Sequence, residues 1–208
     1  PSGHEDYERE ADPESLADLK ERLGIRERYF LFVGTLEPRK NLRRVLEAFR
    51  LFLERSGGEK RCQLVMAGSR DFGHGKMYRL LTAGARLGPG DVVYTGYLSR
   101  EDLNLLYCGA VALVFPSLYE GFGIPVLEAM ACGTPVIVSR ATSLPEVAGD
   151  AGLYVDPHRP EEIARAMEEL ASHESAREAL VRKGFERIEH FSWEETARRT
   201  LEVYNSLA

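Results

Sequence analysis

Short apolar runs alternate with amphipathic helical runs along most of this chain, and that alternation leaves few folds open. Tyr29–Val33, Gln63–Ala67, Val92–Thr95, Val111–Phe115, Val136–Val138 and Leu153–Val155 are rich in Val, Leu and Phe. They lack the in–out alternation of a half-solvated strand, so each is expected to be covered on both faces. Helical patterns separate them: Asn41–Arg55, Met77–Leu87, Arg100–Cys108 with Ser99 as its cap, a short helix containing Glu128, and Pro160–Ala171. Strands joined through helices run parallel, because a parallel pair needs a long crossover. The expected fold is α/β: a doubly wound, Rossmann-like parallel sheet with helices on both faces.

The two ends read differently. Residues 1–12 are polar and without period, as in a linker, and Asp12-Pro13-Glu14 starts a helix that Gly24 stops. Two helices close the chain, Ala176–Ile188 and Glu194–Leu207, the second opened by the capping box Ser192-Trp193-Glu194-Glu195. Trp193 is expected to pack. The division that follows is a linker and leading helix over 1–25, a Rossmann-like domain over 26–172 and a helical extension over 173–208.

Bulk properties remove several function classes. A chain of 208 residues suits one domain, and 44% hydrophobic content suffices for a full core. A net charge of −6 argues against a broad nucleic-acid surface. No apolar run approaches the roughly eighteen residues of a membrane span, and no signal-peptide pattern opens the chain, so the expected location is cytoplasmic. Cys62, Cys108 and Cys132 are too far apart for CxxC chemistry and lie in or beside apolar segments, as buried reduced thiols do.

Ligands of open parallel sheets bind beyond the carboxyl ends of the strands. The unusual segments here follow strands: Gly34-Thr35-Leu36-Glu37-Pro38-Arg39-Lys40-Asn41, Gly68 to Gly75, Gly96-Tyr97-Leu98-Ser99, and Pro116 onward. The last leads into Glu120-Gly121-Phe122-Gly123-Ile124-Pro125-Val126-Leu127-Glu128. A helix starting near Ile124 presents free amides and the positive end of its dipole, and Gly121 and Gly123 let a ligand approach. That is an anion site. Glu128, about one turn inside the helix, suits neutral hydroxyls such as those of a ribose, and Glu120 sits where a sugar beyond the phosphates would lie. Arg39 and Lys40 offer charge to a pyrophosphate. No DxD triplet, Walker loop or GxGxxG fingerprint occurs, so metal-held transfer, ATPase and dehydrogenase readings lose support. His74 reads as an exposed loop residue, and no His pairs with Ser or Cys as in a nucleophile arrangement.

Three blocks carry a family resemblance: Phe32 to Asn41, Val93 to Ser99, and Phe115 to Pro145 with its E-x7-E element. The chain resembles the C-terminal, donor-binding domain of retaining GT-B glycosyltransferases of family 4, which includes many mannosyl- and glucosyltransferases. The resemblance implies a single GT-B half followed by C-terminal helices. It implies that Lys40 binds the donor diphosphate, that Glu128 holds the ribose hydroxyls, and that Glu120 with Gly121, Phe122, Gly123 and Ile124 holds the sugar and its phosphates. Gly34 and Thr35 would line the same loop, and main-chain groups near Tyr97 and Leu98 would read the base. Many members carry Arg where this chain has Thr35, which makes Arg39 the candidate replacement. The form of the first block is similar to that of GDP-mannose users.

The resemblance further implies a nucleoside-diphosphate sugar as donor, transfer without metal or other cofactor, and Glu120 and Lys40 as the catalytic pair. A complete GT-B enzyme also has an N-terminal acceptor domain, in cis or as a separate chain, onto which the last helix crosses. The expected chain is a fragment inactive in transfer on its own, with a membrane-peripheral placement open for the intact enzyme. Two alternatives remain open at this point: a stand-alone nucleotide-sugar-binding or regulatory subunit, and a GT-B-type epimerase or phosphorylase.

Overall fold

Alternate residues of the strands divide between two cores, and this division makes the domain. The computed structural model describes residues 7–9, 11–56, 62–68, 84 and 87–206. Its strands are β1 (Tyr29–Val33), β2 (Gln63–Ala67), β3 (Val92–Gly96), β4 (Ala112–Phe115), β5 (Val136–Ser139) and β6 (Gly152–Val155). All pair in parallel, in the order β3-β2-β1-β4-β5-β6. Tyr29, Leu31 and Val33 of β1 face one side, while Phe30 and Phe32 face the other.

Helices cover both faces. On the Tyr29 side lie α1 (Pro13–Leu23), α3 (Arg100–Gly109), α4 (Ile124–Ala131) and α5 (Leu144–Ala148). On the Phe30 side lie α2 (Leu42–Arg55) and α6 (Pro160–Ser172). There Phe52 meets Phe30 edge-on at 5.3 Å and stacks on Phe49 at 6.0 Å. Burying each such ring contributes about 1.5–3 kcal/mol before chain ordering is counted. The expected doubly wound α/β sheet is the observed one.

Local chemistry sets most boundaries. Asp12 accepts from the Ser15 amide at 2.9 Å to start α1, and Gly24 ends it in the left-handed region at φ 69°. Ser99 caps α3 through the Asp102 amide at 3.1 Å. Two helices follow the sheet, α7 (Glu174–Ile188) and α8 (Trp193–Ser206). A Cβ on Gly184 would stand 3.2 Å from Met130 Cγ, so a glycine lets α7 settle on α4.

Several details depart from the sequence reading. A 3-10 turn, Pro38–Lys40, precedes α2 and carries Arg39 and Lys40. The capping box before α8 is half formed: Ser192 accepts from the Glu195 amide at 3.0 Å, but the Glu195 carboxylate turns to Arg198 and Arg199. Trp193 is 49% exposed rather than packed away. Helix α5 and the 3-10 turn Gly149–Ala151 were not read from the sequence. Residues 7–9 pack on the domain, with Tyr7 edge-on to Tyr107 at 5.6 Å and the Glu8 amide donating to Asn104 Oδ1 at 3.0 Å. The helix expected over Met77–Leu87, the loop from Ser69 to Gly75 with His74, and His4 lie outside the described residues, apart from Gly84 and Leu87. Among the described residues no helix is long and apolar enough to cross a membrane.

The ends of β1 and β2 approach so closely that a Cβ on Gly68 would stand 2.1 Å from the Gly34 carbonyl oxygen. Gly68→Ala must push backbone against backbone. The expected loss is about 2–3 kcal/mol, from overpacking and an unfavourable φ together, read as a lower urea midpoint with unchanged slope.

Candidate functional site

The winding of the sheet reverses between β1 and β4, and the loops after these two strands bring opposite charges together there. Lys40 and Glu120 are 6% and 7% exposed, and Lys40 Nζ lies 2.7 Å from Glu120 Oε1. This contact is an ion pair without hydrogen-bond alignment, since Oε1 takes no aligned donor among the described residues. The ammonium also sits 4.6 Å from the centre of the Phe115 ring. Arg39 Nη1 donates to Glu120 Oε2 at 3.0 Å, and Arg39 Nε to Glu37 Oε2 at 2.5 Å. Thr35 donates its hydroxyl to Glu37 Oε1 at 2.7 Å. That bond, and then Arg39, hold the Glu37 carboxyl below its ordinary range.

Thr35, Glu37, Arg39, Lys40 and Glu120 therefore form one chain of contacts. Thr35 reaches Arg39 through Glu37, a residue without an assigned role in the sequence reading. Main-chain bonds fix the two loops: the Leu118 amide donates to the Arg39 carbonyl at 2.7 Å. Asn41, in the left-handed region at φ 61°, donates its side-chain amide to the carbonyls of Pro116 and Pro157 at 3.0 and 2.6 Å. Its signal in the sequence was weak: Asn tolerates that conformation better than most residues.

The glycine turn before α4 is held open. Gly123, at φ 114°, is the residue before the helix, and the amides of Gly121, Phe122, Gly123 and Ile124 have no acceptor among the described residues. The Phe122 ring turns away to meet Phe191 edge-on at 5.9 Å. Thr142, strained at φ 50°, accepts from the Glu120 amide at 3.0 Å. Ser143 donates to the carbonyls of Glu120 and Phe122 at 3.1 and 2.7 Å. The turn is thus gripped from the loop after β5, which sequence reasoning missed. Ser117 Oγ, 1% exposed, has no partner among the described residues and lies in the same β4 loop.

Glu128 belongs to a second cluster. Its Oε2 accepts from the Tyr107 hydroxyl at 2.8 Å, and the structure brings it into contact with neither Glu120 nor Lys40. Burial raises its pKa, and hydrogen bonding from Tyr107 and Tyr7 lowers it less. Tyr107 is pushed up by burial and by the Glu128 charge. Tyr97 is 83% exposed beyond β3, while Leu98 packs partly against the core. Gly34 lies under the Lys40 stem, where an added Cβ would stand 3.2 Å from Cε.

Comparison with known proteins identifies the family and the fold. The model of the family Glycosyl transferases group 1 matches residues 17–187, and the chain belongs to that family. The O-antigen chain mannosyltransferase B of Escherichia coli is 41% identical over 179 residues, covering 86% of this chain and 46% of that protein. Sucrose-phosphate synthase from Thermosynechococcus elongatus superposes with a TM-score of 0.81 at 27% identity, over 100% of this chain and 51% of that one. The C-terminal domain of a group 1 family glycosyl transferase from Francisella tularensis superposes at 0.73 with 23% identity, over 88% of this chain and 94% of the domain. This last likeness concerns the fold alone. The domain is a Rossmann-like GT-B half, and the chain spans about half the length of the E. coli relative and of the synthase.

Two tests follow from the geometry. Glu128 has a raised pKa in the folded protein, so its contribution to stability is complete below the ordinary carboxylate value and is lost as pH rises through the raised one. Glu128→Gln should match the parent in acid and exceed it above that window in urea titrations across pH. At Thr142, replacement by Gly relieves about 1 kcal/mol of strain but removes the acceptor for the Glu120 amide. Hydrogen exchange of that amide should quicken in Thr142→Gly and stay slow in Thr142→Asn, which tolerates the conformation and keeps a side-chain oxygen. Equal exchange in the variants and the parent would remove Thr142 from this role.

Proposed function

We propose that this chain is the donor-binding half of a retaining, metal-independent hexosyltransferase that uses a nucleoside-diphosphate sugar. One observation carries the reading: the buried Lys40–Glu120 pair, joined by the half-exposed Arg39, sits beside four amides at the start of α4 that have no acceptor among the described residues. A diphosphate needs positive charge that does not reorganise, and a helix terminus with two cations supplies it. Lys40 and Arg39 would turn part of their charge from Glu120 to the diphosphate, stabilising it as leaving group. Glu120, held beside them by Thr142, would contact the sugar where the bond to phosphate breaks. Gly34 and Thr35 line the floor of the loop. Glu128, already hydrogen-bonded by Tyr107 and Tyr7, would turn a carboxylate oxygen to the ribose hydroxyls. The main chain at Tyr97 and Leu98 would read the base.

The mannosyltransferase relatives favour mannose as the sugar, and the form of the segment Phe32 to Asn41 favours GDP as its carrier. The acceptor would be bound by a further domain, in cis or as a separate chain. Helix α8 suits its docking, because Trp193, Leu201 and Tyr204 are 49%, 59% and 66% exposed and fall on one side of the helix. In this reading residues 26–172 hold the donor, 1–25 lead in, and 173–208 reach toward the acceptor half.

Calorimetry of the folded chain with GDP, UDP and ADP tests the reading. GDP should bind most tightly. Lys40→Ala and Glu128→Ala should each weaken it about 10- to 100-fold, the usual worth of a charge-assisted hydrogen bond. Circular dichroism must accompany Lys40→Ala, which leaves Glu120 with Arg39 alone. A folded parent that binds none of the three would overturn the proposal.

A further inference from the structure

The tertiary fold brings together two thiols that the sequence keeps apart. Cys108 lies in the last turn of α3, and Cys132 caps the C-terminus of α4. Asn104, one turn before Cys108, holds both: Cys132 Sγ donates to Asn104 Oδ1 at 3.2 Å, and Asn104 Nδ2 donates to Cys108 Sγ at 3.9 Å. Neither is bridged in this structure.

Their surroundings differ in the manner of an attacking and a resolving thiol. Cys108 is half-buried, and the neighbouring Cys132 thiol moves its pKa down, with burial opposing. Cys132 is 3% exposed, and the neighbouring Cys108 thiol, together with burial, moves its pKa up. A partly accessible thiol of lowered pKa beside a second thiol is the arrangement that oxidises selectively. Cys62 is fully buried in the opposite core and serves as an internal control.

The pair also clasps the segment Tyr7–Arg9. Cys108 Sγ donates to the Glu8 carbonyl at 3.3 Å, while the Glu8 amide donates to the same Asn104 Oδ1 that accepts from Cys132. We propose that Cys108 and Cys132 form an oxidisable pair that closes to a disulfide under a hydroperoxide and loosens Tyr7–Arg9 from α3. The Cys108 thiolate attacks the peroxide oxygen, the O–O bond breaks, and the sulfenic acid forms with release of hydroxide, or of an alcohol from an organic peroxide. Cys132 then attacks that sulfur; the S–S bond forms, the S–O bond breaks, and the Cys132 proton leaves with the hydroxyl as water. The protein loses two electrons and the peroxide takes them. Neither sulfur then has a proton to donate, so the bond from Cys108 to the Glu8 carbonyl and the bond from Cys132 to Asn104 Oδ1 are lost together. Tyr7, packed on Tyr107, is loosened with them.

The site is independent of the proposed donor, and so is its test. The purified chain is treated with hydrogen peroxide, free thiols are alkylated, and disulfide peptides are mapped by mass spectrometry. The expected product has lost two hydrogens, links Cys108 to Cys132, leaves Cys62 free to alkylation after unfolding, and reverts with a dithiol. Hydrogen exchange of the Glu8 amide, whose own bond to Asn104 Oδ1 involves neither sulfur, should then rise about fivefold, because the segment opens more readily once its carbonyl has lost the bond from Cys108. In Cys132→Ser, Cys108 should stop at a sulfenic acid that dimedone traps, and this holds even if the disulfide proves too strained to accumulate. Oxidation of Cys108 to the sulfinic acid in the parent with Cys132 still free, a link through Cys62, or unchanged exchange at Glu8 in the disulfide form would each overturn the proposal.

Discussion

Glu120 is a nearly buried carboxylate held between two cations from another loop, and much of the site depends on that contact. Such a charge is tolerated inside a protein only when paired, and losing its partner costs about 3–5 kcal/mol. Lys40 and Arg39 supply the pairing from the loop after β1, while Glu120 comes from the loop after β4. The contact therefore bridges the place where the sheet changes winding direction. It keeps two cations close to the turn before α4, whose amides have no acceptor among the described residues. In the proposed reading, this is a diphosphate site assembled in advance, with the protein's own carboxylate as counter-charge.

The surrounding bonds hold this arrangement in place. Asn41 reaches across to the loops after β4 and β6, and Thr142 and Ser143 grip the glycine turn from the loop after β5. Loops from four strands are thereby joined into one edge. The strain at Thr142 is carried where it positions a main-chain turn, as strain at functional sites commonly is. Glu128 is managed separately: it lies in a nest of tyrosines whose hydrogen bonds offset part of its burial. The thiol pair lies behind that nest, beyond the last turn of α4.

The strands and most helices were legible in the sequence because each signal is local. Tyr29–Val33 and Gln63–Ala67 read as covered strands from composition alone, and Asp12 and Ser99 read as caps from their neighbours. The short α5 gave no readable pattern, since five residues scarcely exceed one turn. Trp193 misled, because an aromatic residue is usually covered and here half its surface is open. Half of the capping box failed because Glu195 found two arginines on its own helix. At the site, Glu120, Lys40 and the glycine turn were visible as types in a pattern. Glu37, Asn41, Thr142 and Ser143 were not, since their roles rest on partners far along the chain.

Pattern and spacing by themselves determined an α/β chain with covered parallel strands, a glycine turn between two glutamates, and a basic pair after the first strand. These follow from the short-range periods of helix and strand and from the conformations that Gly, Pro and Asn permit. Only the tertiary structure decided which charges meet. It paired Glu120 with Lys40 and Arg39, turned Glu128 to Tyr107, and set Cys132 beside Cys108. Burial and pairing depend on chain segments that approach only when both cores close, and no local pattern encodes the partner.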